Sequence, residues 1–381
     1  MKITDIEIFK VKPRWIFVKV NTDEGISGWG ECIGGTRTET VVNCIRETGN
    51  YLIGKNPLEI ERHWQLMYRF FFRGGPVHMT AVSGIEMALW DIKGKYYNTP
   101  VYDLLGGKVR ERLMVYSWIG GDRPDAVGKE ALDRRNRGFK AVKLLATQEM
   151  HYIDSYEKVA QVCQNMQAIR TAVGNDLQVG IDFHGRVHKA MAKILIKELE
   201  PFNPMFIEEP VLPENEDAFI SLSQRTHLPL ATGERLCTRW EYKNLLSSGA
   251  VDIIQPDVAL VGGILETKKI CAMAEAYDVA VAPHAPYGPI ALAATFQVDA
   301  CTPNVFIQEQ SLGIHYNKGF DLLDFVKNKE IFNFNEGYAD VPTKAGLGIE
   351  LDEELIREKA LEDLNWSNPK WVNDDGTIAE W

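Results

Sequence analysis

Cysteine is scarce in this sequence, and its spacing is unlike that of a zinc-binding or disulfide-rich protein. Six cysteines are spread over 381 residues, and no two of them form the close pairs that zinc sites use. Free cysteine is among the residue types most often buried, so we expect these thiols to be small apolar core residues. The six are Cys32, Cys44, Cys163, Cys237, Cys271 and Cys301.

Other missing features exclude further classes of protein. The 42 Lys and Arg residues are outnumbered by 53 Asp and Glu, and the resulting net charge of −11 argues against nucleic acid as a partner. No apolar run is long enough to cross a bilayer and the N-terminus does not resemble a signal peptide, so we expect a cytoplasmic protein without membrane contact. No GxGxxG or GKS/T motif follows a strand pattern, which argues against a glycine-rich phosphate-binding loop.

What the sequence does contain is a regular series of acidic residues. Asp182, Glu208 and Glu234 each follow an apolar segment, and successive members stand 26 residues apart. A strand, a helix and their two loops occupy about that length, and a wound barrel brings successive strand ends side by side. We therefore expect the three carboxylates to meet at one mouth.

A cation should hold these carboxylates together. Like charges in a confined site raise each other's pKa, and one of them neutralises unless something positive is present. All three are hard oxygen donors without an accompanying cysteine, a set that suits Mg²⁺ better than zinc, and Mn²⁺ would fit almost as well. We predict one Mg²⁺ per subunit bound by Asp182, Glu208 and Glu234.

The same period continues in both directions along the chain. Apolar segments also end at or near Trp118, Lys143, Asp257, His284 and Glu309, which makes eight segments in all. Amphipathic stretches such as KAMAKILIKELE separate them. This alternation predicts an α/β protein built on a modified (β/α)8-type, TIM-like barrel whose polar strand ends face one side. An open doubly wound sheet is the alternative.

The chain on either side of the barrel has a different character. Residues 1–113 read as short strands followed by helical patterns, and we interpret them as an α+β capping domain. We assign residues 114–320 to the catalytic barrel, and predict that residues 321–381, which lack the barrel period, pack back on the capping domain and complete it. Helices of the capping domain are predicted over Thr36–Gly54, Pro57–Phe72 and Met79–Tyr96.

Several motifs resemble those of the mandelate racemase branch of the enolase superfamily. The run ALWDIKGKYYNTPVYDLLGG and the polar residues that end segments three to eight are similar to that branch. More narrowly, IDFHGR, FIEEPV, GER, APH, GPIALAA and QEQS resemble its galactonate dehydratases, and the likeness covers nearly the whole chain. In this superfamily a Lys or His base removes the proton beside a carboxylate, and Mg²⁺ stabilises the resulting enediolate.

His284 is the predicted base. It lies beside Asp257 on the neighbouring strand, and a carboxylate that binds one imidazole nitrogen raises the basicity of the other; a satisfied core histidine is the alternative. His184 follows Asp182 by two residues, and because side chains alternate along a strand we expect it to face the same mouth and protonate a departing 3-hydroxyl group. The resemblance implies that Glu309, when protonated, hydrogen-bonds the substrate carboxylate.

Lys143, Arg235 and His315 are candidates for substrate binding. Racemases of this branch carry two lysines two residues apart on the second strand, whereas this chain has Lys143 and then Leu145, so one base is missing. Lys143 remains a charge partner for the substrate carboxylate. Arg235 either contacts substrate or forms an ordinary ion pair, and His315 follows the eighth strand closely enough to face the mouth. Leu145 and the loops 32–40 and 258–261 also differ from the galactonate dehydratase pattern, at places that could touch sugar hydroxyls.

These features predict an Mg²⁺-dependent dehydratase of an acid sugar. The resemblance implies that D-galactonate loses its C2 proton and 3-hydroxyl group to give a 2-keto-3-deoxy acid. Two alternatives stay open: a racemase or epimerase of another 2-hydroxy acid, with His184 as its second base, and an altered homologue that binds metal without dehydrating galactonate. The expected partners are a small acid sugar and, by the resemblance, further copies of the chain in a homo-oligomer.

Overall fold

The chain begins with a three-stranded antiparallel sheet covered by helices. The computed structural model of the protein describes residues 1–69, 72–121 and 125–381. The strands of this sheet follow one another in chain order. Its elements are β1 (Ile3–Val11), β2 (Trp15–Thr22), β3 (Ser27–Ile33), α1 (Thr38–Gly49), α2 (Ile60–Arg69), α3 (Pro76–Tyr96) and α4 (Val101–Leu104).

Helix α3 packs closely on strand β3 because both carry glycine where they cross. A Cβ atom on Gly30 would overlap the carbonyl oxygen of Gly84, so only glycine allows this approach. The three helices predicted in this part of the chain correspond to α1, α2 and α3. Two residues of the predicted second helix, Phe70 and Phe71, lie outside the described residues.

Strands and helices alternate through the middle of the chain. Seven parallel strands, β5 to β11, form one sheet in which each strand neighbours the next in sequence. The elements of this region are β4 (Arg112–Met114), β5 (Ser117–Trp118), α5 (Val127–Asn136), β6 (Ala141–Leu145), α6 (Tyr156–Val173), β7 (Gln178–Asp182), α7 (Lys189–Leu199), β8 (Phe206–Glu208), α8 (Glu216–Ser223), β9 (Leu230–Thr232), α9 (Tyr242–Ser247), β10 (Ile253–Ile254), α10 (Ile264–Ala276), β11 (Ala280–Val281) and α11 (Pro289–Ala300).

An eighth segment, residues 305–309, links the two ends of this sheet. Val305 pairs in parallel with Val281 of β11, and Gln308 pairs in parallel with Val115, just before β5. The predicted TIM-like barrel is therefore confirmed, and the open doubly wound sheet is wrong. The eighth segment makes only isolated bridges, so it is less regular than the strands around it.

The barrel interior is filled in layers. A buried cluster takes one side chain from each of seven strand segments, and on β7 the corresponding residue is Gly180, which leaves room for the ring of Phe206. Because side chains alternate along a strand, the residues two positions further point into the same interior and form the next layer. That layer includes Trp118, Lys143, Asp182, Glu208, Gln255, His284 and Glu309. The cluster below it consists of Tyr116, Ala141, Phe206, Ala231, Ile253, Ala282 and Ile307.

Two buried carboxylates from the N-terminal part of the chain cap helices of the barrel. Glu86 of α3 accepts hydrogen bonds from the backbone N–H groups of Ile264 and Leu265 at the start of α10, at 2.7 and 3.0 Å. Glu31 of β3 accepts three such bonds from residues 288–291 at the start of α11. The first N–H groups of a helix have no partner within it, so each carboxylate satisfies donors that would otherwise be buried and unpaired.

The last part of the chain contacts both the sheet and the barrel. Phe325 packs edge-on against Trp15 and Phe17 of β2, with ring centroids 6.0 and 5.9 Å apart. Arg357 pairs with Glu7 of β1 at 2.8 Å. These contacts join the segment after residue 320 to the N-terminal sheet. Its regular elements are β12 (Tyr338–Asp340), which pairs antiparallel with β4, and α12 (Glu353–Lys359).

The remaining features agree with the composition. All six cysteines have free thiols, and four of them are buried. Among the residues that the structure describes, no helix combines the length and the apolar character needed to span a bilayer.

Candidate metal and acid–base site

Asp182, Glu208 and Glu234, here called the acidic triad, meet at the C-terminal ends of strands β7 to β9. One carboxylate oxygen from each lies within 4.8 Å of the other two, and all three side chains are buried. Within the described part of the chain, Oδ2 of Asp182 and the Oε2 atoms of Glu208 and Glu234 accept no hydrogen bond. Buried oxygens without a donor, converging on one point, are what a hard divalent cation requires. The residues therefore fit a site for a divalent metal ion.

The electrostatics of the triad also favour a cation. Burial, with the charge of Glu208 nearby, raises the pKa of Asp182 well above its ordinary range. Burial likewise raises the pKa of Glu208 to about 7. Glu234 behaves differently: burial would raise its pKa, but His284, His184 and nearby cations outweigh burial and lower it. A bound cation would stabilise the ionised form of all three carboxylates.

Lys143 of β6 lies beneath the triad and is fully buried. Its Nζ atom donates to Oε1 of Glu208 at 2.6 Å and lies 3.1 Å from Oε1 of Glu309 and 3.8 Å from Oδ2 of Asp182. Burial opposes its charge, but the carboxylates of Glu208 and Glu309 outweigh burial and raise the pKa of Lys143 well above its ordinary value. Lys143 is thus an internal cation for three acidic side chains.

His284 and Asp257 form the predicted pair. Nδ1 of His284 lies 2.7 Å from Oδ2 of Asp257, whose other oxygen accepts the backbone N–H of Ala259 at 2.7 Å. Nε2 of His284 is left facing the triad, 3.5 Å from Oε2 of Glu234. Burial would lower the pKa of this imidazole, but Glu234, Glu309 and Asp257 together raise it to about 10.

His184 reaches the same place through an unusual backbone conformation. Its Nε2 atom lies 3.7 Å from Oε1 of Glu234, and its backbone N–H donates to Oδ1 of Asp182 at 2.7 Å. The expectation that strand alternation orients His184 is wrong, because β7 ends at Asp182 and His184 has a left-handed φ of 51°. Such strain in a non-glycine residue is typical of functional sites. Burial lowers the pKa of His184 to about 3, so the imidazole of the protein alone is neutral.

Glu309 is fully buried and receives hydrogen bonds on both oxygens. Trp118 Nε1 and the backbone N–H of Ala285 each donate to it at 2.7 Å. Burial would raise the pKa of Glu309, but Lys143 and His284 outweigh burial and lower it. The carboxylate is therefore ionised in the protein alone, whereas the family resemblance implied a protonated Glu309.

Arg235 and His315 line the cavity above the triad. Arg235 donates from Nε to both oxygens of Glu209, at 2.8 and 3.0 Å, and its Nη2 lies 3.4 Å from Nδ1 of His184. Glu209 was not among the predicted site residues; its only signal was the second acid of FIEEP. The ring of His315 contacts that of Tyr316, with centroids 3.9 Å apart and planes tilted by 42°.

The cavity measures about 360 Å³, within the range of small-molecule sites. Asp182, Glu234, His184 and His284 stand on its wall. Leu145 lines it too, together with Ile33 from the loop 32–40 and Leu260 from the loop 258–261. Four residues that were not predicted from the sequence also line the cavity: Arg14, Tyr287, Tyr316 and Trp381.

Comparisons with known proteins agree with this geometry. Residues 10–106 match the family "Mandelate racemase / muconate lactonizing enzyme, N-terminal domain", and residues 126–355 match "Enolase C-terminal domain-like". D-galactonate dehydratases from Ralstonia pickettii and Cronobacter sakazakii are 51% and 50% identical, each over 100% of both chains. A crystal structure from Agrobacterium radiobacter, provisionally named a galactarate dehydratase and solved with Na and L-malate bound, is 31% identical with a TM-score of 0.91 over 100% of both chains.

Proposed function

The chain belongs to the mandelate racemase / muconate lactonizing enzyme family of the enolase superfamily, and from that premise we propose that it dehydrates D-galactonate with the help of Mg²⁺. It is an acid sugar dehydratase, a carbon–oxygen lyase, by its likeness to relatives of that name. The proposed elimination rests on one observation. The His284–Asp257 pair and His184 meet at the carboxylate of Glu234, a member of the acidic triad.

The acidic triad is the proposed holder of the metal. Its three carboxylates, each with an oxygen that accepts no hydrogen bond, would hold a divalent cation. When bound, a divalent cation supplies positive charge beside the substrate carboxylate, which lowers the energy of the enediolate that forms when the C2 proton leaves. Lys143 and Glu309 lie behind the triad, and we assign them to positioning its carboxylates and His284.

His284 is the proposed base. Because Nδ1 is bound to Asp257, the imidazole has one orientation, and Nε2 is the atom that can accept the C2 proton. The carboxylate of Asp257 stabilises the imidazolium that results. A cation on the triad would offset the negative charge of Glu234, which raises the pKa of this imidazole, and so would favour the neutral His284 that can accept a proton.

His184 is the proposed acid. In the elimination, the C2–H bond breaks toward His284, the C3–O bond breaks as His184 donates a proton to the hydroxyl group, and water leaves. The enol then tautomerises to the 2-keto-3-deoxy acid. Since burial keeps His184 neutral in the protein alone, this role requires protonation in the complex, which the negative charge of a bound aldonate favours.

A panel of aldonates tests the proposal. Purified protein with Mg²⁺ is incubated with D-galactonate and with epimers at C4 and C5, and 2-keto-3-deoxy product is measured; the Asp182→Asn variant is the control without a complete triad. Product from D-galactonate with the parent alone supports the proposal. Deuterium entering recovered or inverted substrate without water loss would indicate a racemase or epimerase. If no aldonate gives product although Mg²⁺ still binds, the protein is the altered homologue that binds metal without dehydrating galactonate.

Two predictions about organisation stay proposals. We retain the division into a capping domain (1–113), a barrel (114–320) and a C-terminal segment (321–381), which the contacts of Phe325 and Arg357 with the N-terminal sheet support. We also retain assembly into a homo-oligomer, for which measurement of the solution mass is the test.

A further inference from the structure

The chain after α12 does not end on the N-terminal sheet but crosses to the barrel mouth. We call residues 366–381 the tail. Near its start, the backbone N–H of Asn368 donates to Oγ1 of Thr36 at 2.9 Å, in the loop after β3. Further on, the guanidinium of the buried Arg186, in the loop after β7, lies 4.5 Å from the ring centre of Trp371. The tail therefore contacts both the N-terminal part of the chain, through the loop after β3, and the barrel, through the loop after β7.

The last residue of the tail enters the cavity of the acidic triad. Trp381 lines this cavity, and its ring meets that of His184 edge to face, with centroids 5.3 Å apart and planes at 84°. The ring centroid of Tyr316 lies 6.1 Å from that of Trp381. No residue in the described ranges accepts a hydrogen bond from Nε1 of Trp381. Ring packing, rather than a polar contact of the indole, holds this side chain against His184.

His184 needs such a support. Its nearest polar neighbours on the ring are long contacts: Nδ1 lies 3.4 Å from Arg235 and Nε2 lies 3.7 Å from Glu234. His284, by contrast, is fixed by a 2.7 Å contact to Asp257. The orientation of the His184 imidazole therefore depends on packing to a degree that the orientation of His284 does not.

We propose that Trp381 is a positioning and specificity-determining residue, which holds the His184 ring in line with the departing hydroxyl group and closes the cavity on that side. This inference rests on the proposed function, since it gives His184 the acid role in dehydration of an aldonate. A rigid aromatic wall restricts both the ring of the acid and the room available to the sugar chain. Loss of this aromatic wall should slow protonation of the leaving hydroxyl group by His184 more than removal of the C2 proton by His284.

Three variants test the proposal. Trp381→Ala removes the wall, Trp381→Phe keeps an aromatic ring, and Ile378→Ala alters an 80% exposed residue of the same tail. Trp381→Ala is expected to lower kcat for dehydration by up to about 100-fold, the cost of a misplaced reacting group. Deuterium exchange at C2 should persist. The ratio of kcat/KM between the preferred aldonate and its epimers should fall by about tenfold or more. Trp381→Phe should restore most of kcat, and Ile378→Ala should equal the parent.

A second measurement does not depend on turnover. Diethyl pyrocarbonate acylates neutral imidazoles, and its rate at His184 can be followed by mass spectrometry of the peptide that carries it. Uncovering His184 in Trp381→Ala should raise this rate several-fold, while Ile378→Ala should leave it unchanged.

The outcomes separate this inference from the proposed function. An unchanged acylation rate in Trp381→Ala, or equal losses of exchange and dehydration, would overturn the role of Trp381 even in an active enzyme. Faster acylation together with selective loss of dehydration supports it. If the parent dehydrates no aldonate, the proposed function and the specificity role fail together, and the acylation rates still decide whether Trp381 covers His184.

Discussion

His184 and His284 face the two oxygens of a single carboxylate. Nε2 of His184 lies 3.7 Å from Oε1 of Glu234, and Nε2 of His284 lies 3.5 Å from Oε2. The two imidazoles nevertheless differ in charge, because burial dominates at His184 and the surrounding carboxylates dominate at His284. In the protein alone these directions oppose the assigned roles, because the proposed base His284 is charged and the proposed acid His184 is neutral. A cation on the triad and a bound aldonate would favour the opposite charge at each imidazole.

Replacing His184 should separate the two halves of the proposed reaction. In His184→Asn, dehydration should fall by about 10²–10⁴-fold because no acid protonates the leaving hydroxyl group. Solvent deuterium should still enter C2 of D-galactonate, because His284 and Asp257 are intact. Mass spectrometry of recovered substrate and product measures both. His227→Asn, at an exposed position, is the control, and loss of exchange together with dehydration would contradict the assigned roles.

Replacing Lys143 should destabilise the protein chiefly when metal is absent. Lys143→Met keeps the length of the side chain but leaves Glu208 and Glu309 buried without their cation, a change that costs about 3–5 kcal/mol. Added Mg²⁺ should recover part of the loss by neutralising the triad. Denaturant unfolding with Mg²⁺ or with a chelator gives the two values. Lys140→Met, at an exposed position, should show neither effect, and an equal loss under both conditions would argue against this coupling.

Glu31 should make stability depend on pH. Burial raises its pKa from 4.5 to about 7 in the folded protein, so the folded state holds this proton more tightly than the unfolded chain. Its contribution to the free energy of unfolding is complete below pH 4.5 and is lost as pH rises through 7. The parent should therefore lose stability relative to Glu31→Gln by about 1–3 kcal/mol between pH 4.5 and 8.

Urea unfolding of both proteins at several pH values measures this difference. Glu47→Gln, at an exposed position, is the matched control and should follow the parent at every pH. A constant difference between the parent and Glu31→Gln would show that Glu31 is ionised throughout, held so by the three N–H groups at the start of α11.

Leu145 should influence which sugar acid is accepted. Its apolar side chain lines the cavity, so a substrate hydroxyl placed there loses hydrogen bonds on binding. Leu145→Asn supplies a donor and an acceptor and is expected to change the ratio of kcat/KM between D-galactonate and its epimers by about tenfold or more. Leu144→Asn is not a suitable control because that residue is also buried; Leu361→Asn, at an 88% exposed position, is suitable. An unchanged ratio would place the sugar hydroxyls away from β6.

The sequence predicted the acidic triad and the His284–Asp257 pair because those residues follow the strand period. Once the barrel closes, the position of each strand end is fixed, and alternation gives the side-chain direction of Asp182, Glu208 and His284. Glu234 is an exception, because alternation from Ala231 would turn Gly233 inward, and Gly233, with a φ of 134°, separates the strand from Glu234. His184 was predicted at the right place for the wrong reason, since a left-handed turn rather than the strand orients it. Residues from outside the period escaped prediction. Arg14 lies between β1 and β2, and Trp381 lies in the tail, and neither segment carries a pattern that indicates where it meets the barrel.

The caps that Glu31 and Glu86 provide have a consequence for how substrate enters. Parting the N-terminal sheet from the barrel would break the hydrogen bonds of Glu86 and Glu31 and leave the first N–H groups of α10 and α11 without these acceptors. The hydrogen bond from Nε1 of Trp64 to the carbonyl oxygen of Gly262, at 2.9 Å, would also be broken. Separating the N-terminal sheet from the barrel would therefore cost many contacts. We expect a sugar acid to enter, and its product to leave, through movement of short segments at the edge of the cavity instead.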